Sequence, residues 1–178
     1  MAGDGRIRLF CALQLPGDAV TRLAAWQAEH LRGGRIVPPE HLHVTLAFLG
    51  HRPETEVPAI VAELHAAAAT ARPALLEPRR YRETRSVAMV VLDDLDGAAG
   101  ALAGDLGARL DALGVYRREA RPWLPHVTVL RFRERPRLRP PLPELGRVRA
   151  VRAALYSSQL GPGGARYQVM ESVGLGGR

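Results

Sequence analysis

The sequence predicts an α+β fold of two similar lobes, each a mostly antiparallel sheet with helices on its outer face, arranged with pseudo-two-fold symmetry around a central cleft. Three observations carry this. Residues 6–49 and 86–132 each run strand, amphipathic helix, strand, in the same order. The second strand opens alike in both halves, HVTL at 43–46 and HVTV at 126–129, with Pro39 and Pro122 each four positions ahead of the histidine. Finally, 178 residues suffice for one well-buried domain or two small lobes sharing a core, so the repeat is expected within a single bilobal domain spanning 1–178.

In chain order, RIRLFCALQL (6–15) reads as a strand, and Pro16-Gly17-Asp18 turns into a helix with Val20, Leu23, Ala24 and Leu31 on one face, ended by Gly33-Gly34. HVTLAFL (43–49) is the next strand, and Val57, Ile60, Val61, Leu64 and Ala68 mark a second helix at 3.6-residue spacing. SVAMVVL (86–92) lacks alternation, as a strand buried on both faces does. Leu102, Leu106, Leu110 and Leu113 trace a third helix, weakened by Gly104 and Gly107 and closed by Gly114. HVTVLRF follows as a strand, 131–146 as an arginine- and proline-rich loop, and VRAVRAALYSSQL, GPGG and ARYQVMESV as a closing hairpin.

Composition narrows the chemistry. An apolar fraction of 47% fits a globular protein, no stretch approaches the roughly 18 apolar residues of a membrane helix, and the opening segment lacks a cleavage-site pattern, so a cytoplasmic monomer is expected. The net charge of +7 rests on 25 basic residues, all arginine, whose guanidinium forks suit a phosphate-bearing partner. Without lysine the chain can form no P-loop, no Schiff base and no lysyl-nucleotide intermediate. The lone Cys11 lies in the apolar run LFCAL and reads as a core residue. His30, His51 and His65 show no partner pattern and read as surface residues on helix or loop.

The repeated motif is where chemistry concentrates. Side chains two apart on a strand share a face, so His43 and Thr45 point one way while Val44 and Leu46 point into the core, and His126 and Thr128 do the same against Val127 and Val129. Two imidazoles on opposite walls of a cleft can serve as acid and base in one displacement, and two hydroxyls can donate to the non-bridging oxygens of a phosphate between them. The set suits in-line attack on a phosphodiester. A single HxT would be weak, since threonine favours strands; two copies in matching contexts are not. A metal site through His41 and His43 is the rival, but Leu124 stands where His41 would be mirrored and no acidic residue adjoins either histidine, so no metal or other cofactor is expected.

RLFCALQLP, PPEHLHVTLAFLG, RPWLPHVTVLR and LGPGGARYQVM, in that order across roughly residues 6 to 175, resemble the two-histidine phosphoesterase superfamily, and within it the bacterial RNA 2′,3′-cyclic phosphodiesterase (2′-5′ RNA ligase) family. The resemblance implies a bilobal, metal-free enzyme that hydrolyses a 2′,3′-cyclic phosphate, on an RNA end or a small cyclic nucleotide, to a 2′-phosphate. It makes His43 the proton donor to the leaving 3′ oxygen and His126 the acceptor that activates water, with Thr45 and Thr128 holding the phosphate. Arg131 matches a family arginine, although simple alternation turns it away from the cleft and only a bulge or strong twist brings it back. Phe48 suits stacking on a base, or equally the core; Met89 stands where family members often carry a tryptophan. ATP-independent 2′-5′ ligation and a non-catalytic RNA-binding module are the alternatives.

Overall fold

The computed structural model describes residues 5–176. Strand β1 (Arg6–Gln14) leads into helix α1 (Gly17–His30), the short strand β2 (Arg35–Ile36) and β3 (His43–Pro53). Helix α2 (Val57–Thr70), strands β4 (Ala74–Glu83) and β5 (Val87–Asp94) and helix α3 (Ala98–Ala112) follow. Strands β6 (His126–Arg131), β7 (Val148–Ala150), β8 (Arg152–Gly161) and β9 (Gly164–Gly174) complete the chain. They form two antiparallel sheets, ordered β3-β1-β8-β9 and β2-β6-β5-β4-β7, so the α+β architecture expected from the pattern is the one observed.

The HxT strands occupy matching places. In the first sheet β3 lies antiparallel to β1, with Thr45 opposite Ala12 and His43 opposite Gln14; in the second β6 lies antiparallel to β5, with Thr128 opposite Met89 and His126 opposite Val91. One apolar core joins the two sheets and all three helices, drawing Leu13, Val44 and Leu155 from the first, Val90, Val127 and Leu130 from the second, and Leu23, Ile60 and Leu106 from the helices. Each such side chain, buried, contributes about 2 kcal/mol.

Three features depart from the sequence pattern. The β4 segment, ALLEPRRYRE, shows neither alternation nor an apolar run, yet it lies between β5 and β7, with Pro78 beside a register shift where its missing N–H is tolerated. The segment expected as the first arm of one closing hairpin splits: Val148–Ala150 pairs with β4 in the second sheet, and only β8 and β9 form the hairpin. Helix α1 follows β1 but packs on the other sheet. There Gln27, fully buried, donates to the carbonyls of Val129 (2.8 Å) and Val37 (3.0 Å), and Trp26 meets Tyr81 of β4 edge-on.

The long loop after β6 carries no regular strand up to Val148, and one carboxylate anchors it. Glu83, its side chain 2% exposed, accepts from the backbone N–H of Leu138 (2.7 Å) and of Arg137 (2.9 Å), from Arg135 Nε (3.1 Å) and from Tyr81 Oη (2.9 Å). Burial alone would raise its pKa, but these donors outweigh it and hold the carboxyl below its ordinary value.

Candidate active site

Each histidine ring is set by its own chain. Prolines ahead of the motif bend the segment so that the carbonyl two residues before the histidine faces the ring: His43 Nδ1 lies 2.8 Å from the His41 carbonyl, and His126 Nδ1 lies 2.8 Å from that of Leu124. A carbonyl only accepts, so Nδ1 carries the hydrogen in both rings and Nε2 is left to exchange protons. In the neutral His43 ring, Nε2 accepts from the Thr45 hydroxyl at 3.0 Å. Trp123, just ahead of the second motif, donates from Nε1 to the Thr45 carbonyl at 3.0 Å, tying the two strands together across the cleft.

Both strands carry one extra residue at the same place. The register slips at Leu46 in β3 and at Val129 in β6, three positions after each histidine, so Leu46 and Ala47, and likewise Val129 and Leu130, are consecutive buried residues. Alternation resumes out of phase, and the fifth residue after each histidine returns to the cleft: Phe48 in one strand, Arg131 in the other. The bulge that Arg131 required is therefore present, and Phe48 is 48% exposed rather than part of the core.

A chamber of about 640 Å³ opens on the His43 side, with Thr45, Thr128, Phe48 and Arg131 in its wall. His126 faces a neighbouring chamber, and Thr45 and Phe48 border both. Sequence reasoning missed several further residues of the first chamber, Arg8 and Phe10 from β1, Arg35, and Tyr167 from β9, and weighed His41, also in its wall, only as a metal ligand. Arg8 and Phe10 share the alternating face of β1, a local signal; nothing local links Tyr167 to a site 124 positions earlier at His43. The Arg8 guanidinium sits 4.7 Å from the centre of the Phe48 ring, a cation–π contact at the mouth. No described residue lining this chamber is acidic, and Arg8, Arg35 and Arg131 give its wall a net positive charge that suits an anion.

The two imidazoles sit in unlike surroundings. His43 stacks on Phe10 (ring centres 4.9 Å apart, 29° between planes), which in turn stacks on Tyr156 (4.9 Å, 6°), while Tyr167 covers the ring edge-on and itself stacks on His41 at 4.0 Å. This packing removes water. Burial pushes the His43 pKa down to about 4, with smaller contributions in the same direction from His41, His126 and Arg131 against the opposing hydrogen bond to the His41 carbonyl. His43 is therefore neutral at pH 7 in the unliganded protein. His41 is shifted down as well, first by burial and then by Arg131, with Glu40 opposing.

Among the described residues no three His, Cys, Asp or Glu side chains come together. Of the pair weighed as metal ligands, His43 places Nδ1 against the His41 carbonyl, and the His41 ring stacks on Tyr167. Cys11 is fully buried, and burial pushes its thiol up to about 12, which leaves no nucleophilic thiolate. His51 lies in the tail of β3 rather than in a loop, and His65, on α2, pairs with Glu171 at the surface. No described helix is long and apolar enough to cross a membrane.

Residues 13–80 match the family model described as LigT-like phosphoesterase. A curated relative, the RNA 2′,3′-cyclic phosphodiesterase of Thermus thermophilus, is 34% identical over 183 aligned positions, covering 96% of this chain and 91% of that protein. Among solved structures, E. coli LigT complexed with 3′-AMP superposes with a TM-score of 0.82 at 23% identity, over 96% of this chain and 99% of that one. TT0787 of Thermus thermophilus does so with a TM-score of 0.80 at 31% identity, over 96% and 99%. A match of that identity along nearly the whole length, on the same two-sheet fold, means that the chain belongs to the LigT-like phosphoesterases of the two-histidine superfamily.

Proposed function

We propose that the protein is an RNA 2′,3′-cyclic phosphodiesterase that leaves a 2′-phosphate, by acid–base catalysis between His43 and His126 without a metal. The observation that carries the proposal is the pair of HxT strands, one from each sheet, each with its histidine Nδ1 tied to a carbonyl, His43 bordering one chamber and His126 the neighbouring one, with Thr45 and Phe48 common to both. The name and length of match of the Thermus relative support the same chemistry.

In this reading the cyclic phosphate lies where the two chambers meet. His126 Nε2 takes a proton from water as its oxygen attacks phosphorus; the bond from phosphorus to O3′ breaks in line, and His43 Nε2 hands its proton to O3′. The product is a 2′-phosphate with a free 3′-hydroxyl, and each ring then exchanges one proton with solvent. Thr45 and Thr128 donate to the non-bridging oxygens, Arg131 balances the charge that grows on them, and Phe48 offers a face to the base. A neutral His43 must first gain its proton. The anionic phosphate favours this directly, and it also neutralises Arg131, one of the charges that hold the His43 pKa down.

The depressed pKa of His43 favours a second reading, in which His43 is the acceptor and His126 the donor. A p-nitrophenyl phosphodiester, whose leaving oxygen needs little protonation, separates the two: it should rescue whichever alanine variant lacks the acid, expected to be His43→Ala. Rescue of His126→Ala alone would reverse the roles. The function itself is tested by incubating the protein with a nucleoside 2′,3′-cyclic phosphate and identifying the isomer formed. The 2′-phosphate is expected, and a 3′-phosphate or no turnover would reject the proposal.

A further inference from the structure

Helix α1 buries a polar residue where its pattern calls for an apolar one. Leu23, Gln27 and Leu31 follow one another at four-residue spacing on the buried face, and Gln27 is fully enclosed. Its Nε2 donates to the carbonyls of Val129 and Val37, which only accept, so the orientation of the amide is fixed and both of its hydrogens are used. Its Oε1 has no hydrogen-bond partner among the described residues. A buried amide oxygen without a partner costs free energy that leucine or methionine in the same space would not, so packing does not explain the glutamine.

The two carbonyls it holds do. Val129 is the extra residue of the β6 bulge: Leu130 pairs with Ala88 and Thr128 with Met89, and Val129 has no partner on β5. Its carbonyl accepts from Gln27 and also from the backbone N–H of Val37, at 3.2 Å. Val37 follows β2, which is only two residues long and sets Arg35 directly opposite Arg131. Like charges facing each other on neighbouring strands push the strands apart, and no described residue lining the chamber is acidic. Beyond the bulge the alternation is reversed, which turns Arg131 into the chamber; one residue of slippage would turn it out again.

We propose that Gln27 is a positioning residue for the reaction: by holding the Val129 and Val37 carbonyls on one amide it fixes the bulge, and the bulge fixes the direction of Arg131. The inference rests on the phosphodiesterase reading, in which Arg131 balances the charge that grows on the phosphate. Gln27 borders neither chamber, so it acts on the phosphate only through β6. The other HxT strand has a corresponding donor, since Trp123 Nε1 binds the Thr45 carbonyl next to the extra residue Leu46. Each bulge is held by a side-chain N–H from a distant segment, 102 positions away for Gln27 and 78 for Trp123.

The test is a double-mutant cycle with a nucleoside 2′,3′-cyclic phosphate as substrate. Gln27→Met keeps the length of the side chain and removes its donors; it should lower kcat about ten- to a hundredfold, the order of a misplaced transition-state contact, with a smaller change in KM. Arg131→Ala should cost at least as much. In the Arg131→Ala background Gln27→Met should cost less than about twofold, because the group it positions is gone. Losses that multiplied in full in the double variant, an unchanged kcat in Gln27→Met, or an unchanged kcat in Arg131→Ala would each overturn the proposal. A second measurement needs no variant and covers the case in which Gln27→Met does not fold. Titrating the wild type with inorganic phosphate should move the Gln27 side-chain amide resonances together with that of Arg131 Nε–H, at one midpoint; movement of Arg131 without Gln27, or of neither, would reject the link. A wild type that turned over no cyclic phosphate would remove the phosphodiesterase reading, and the same titration would still decide whether Gln27 and Arg131 are coupled.

Discussion

Acidification should expose the unusual state of His43 in two independent assays. The ring is desolvated by Phe10, Tyr156 and Tyr167, and its pKa lies near 4 in the folded protein against 6.5 as its ordinary value. The unfolded chain therefore binds more protons between these limits: the contribution to stability is complete above pH 6.5 and is lost as pH falls toward 4. At about 1.4 kcal/mol per unit, the 2.5-unit difference amounts to about 3 kcal/mol, an upper value because one edge of the ring faces the cleft. Carboxylates titrate over the same range, so the measurement is a difference of differences: urea unfolding at pH 7.5 and pH 4 for the wild type and for His43→Asn, whose amide retains a donor for the His41 carbonyl. The wild type should lose up to about 3 kcal/mol more than the variant on acidification. In kinetics, kcat/KM reports the free enzyme and should show a limb near pH 4 that is missing in His43→Asn, whereas the corresponding limb in kcat should lie at higher pH because the bound anion stabilises the charged ring. Equal acid sensitivity of the two proteins, together with a wild-type limb that survives the substitution, would refute the link between aromatic stacking and a neutral His43.

Replacing Glu83 by alanine should cost about 3–5 kcal/mol, because two backbone N–H groups and Tyr81 lose a buried partner; calorimetry should show a fall in Tm of about 6–20 °C, and a loss under about 1 kcal/mol would mean that the loop has another anchor. That contribution should also fade as pH drops below the ordinary glutamate range toward the lowered pKa of Glu83, since its stabilising effect belongs to the ionised form. Trp123→Phe removes the hydrogen bond to the Thr45 carbonyl while keeping an aromatic ring, and should cost about 1 kcal/mol in stability with a fall in kcat for the mononucleotide; unchanged kcat would show that the tether does not position Thr45. Dialysis against a strong chelator should leave turnover of a 2′,3′-cyclic phosphate unchanged, and activity that vanished and returned with zinc would replace the acid–base reading.

How far the sequence alone reached depended on the range of the physics behind each feature. The HxT strands were legible because the two-residue alternation that sends His43 and Thr45 to one face is a property of a single strand, and the helices because 3.6-residue spacing is equally local. Doubling of the motif carried the two-lobed architecture, since equal local patterns build equal local units. Strand β4 was not legible: its arginines and Pro78 give no local pattern, and it becomes a strand only because β5 and β7 supply partners on either side. The same limit governed the site. Arg131 and Phe48 reach the cleft only through bulges at Val129 and Leu46, and a bulge is a relation between two paired strands, invisible in either alone. The exchange of α1 onto the second sheet and the place of Tyr167 over His43 join residues more than 100 positions apart, and the burial that lowers the His43 pKa draws on Phe10 as well as on the distant Tyr156 and Tyr167. Residue types and their period determined which groups could do chemistry; desolvation and register, which exist only once distant strands are packed, decided which protonation state they hold and which way they point.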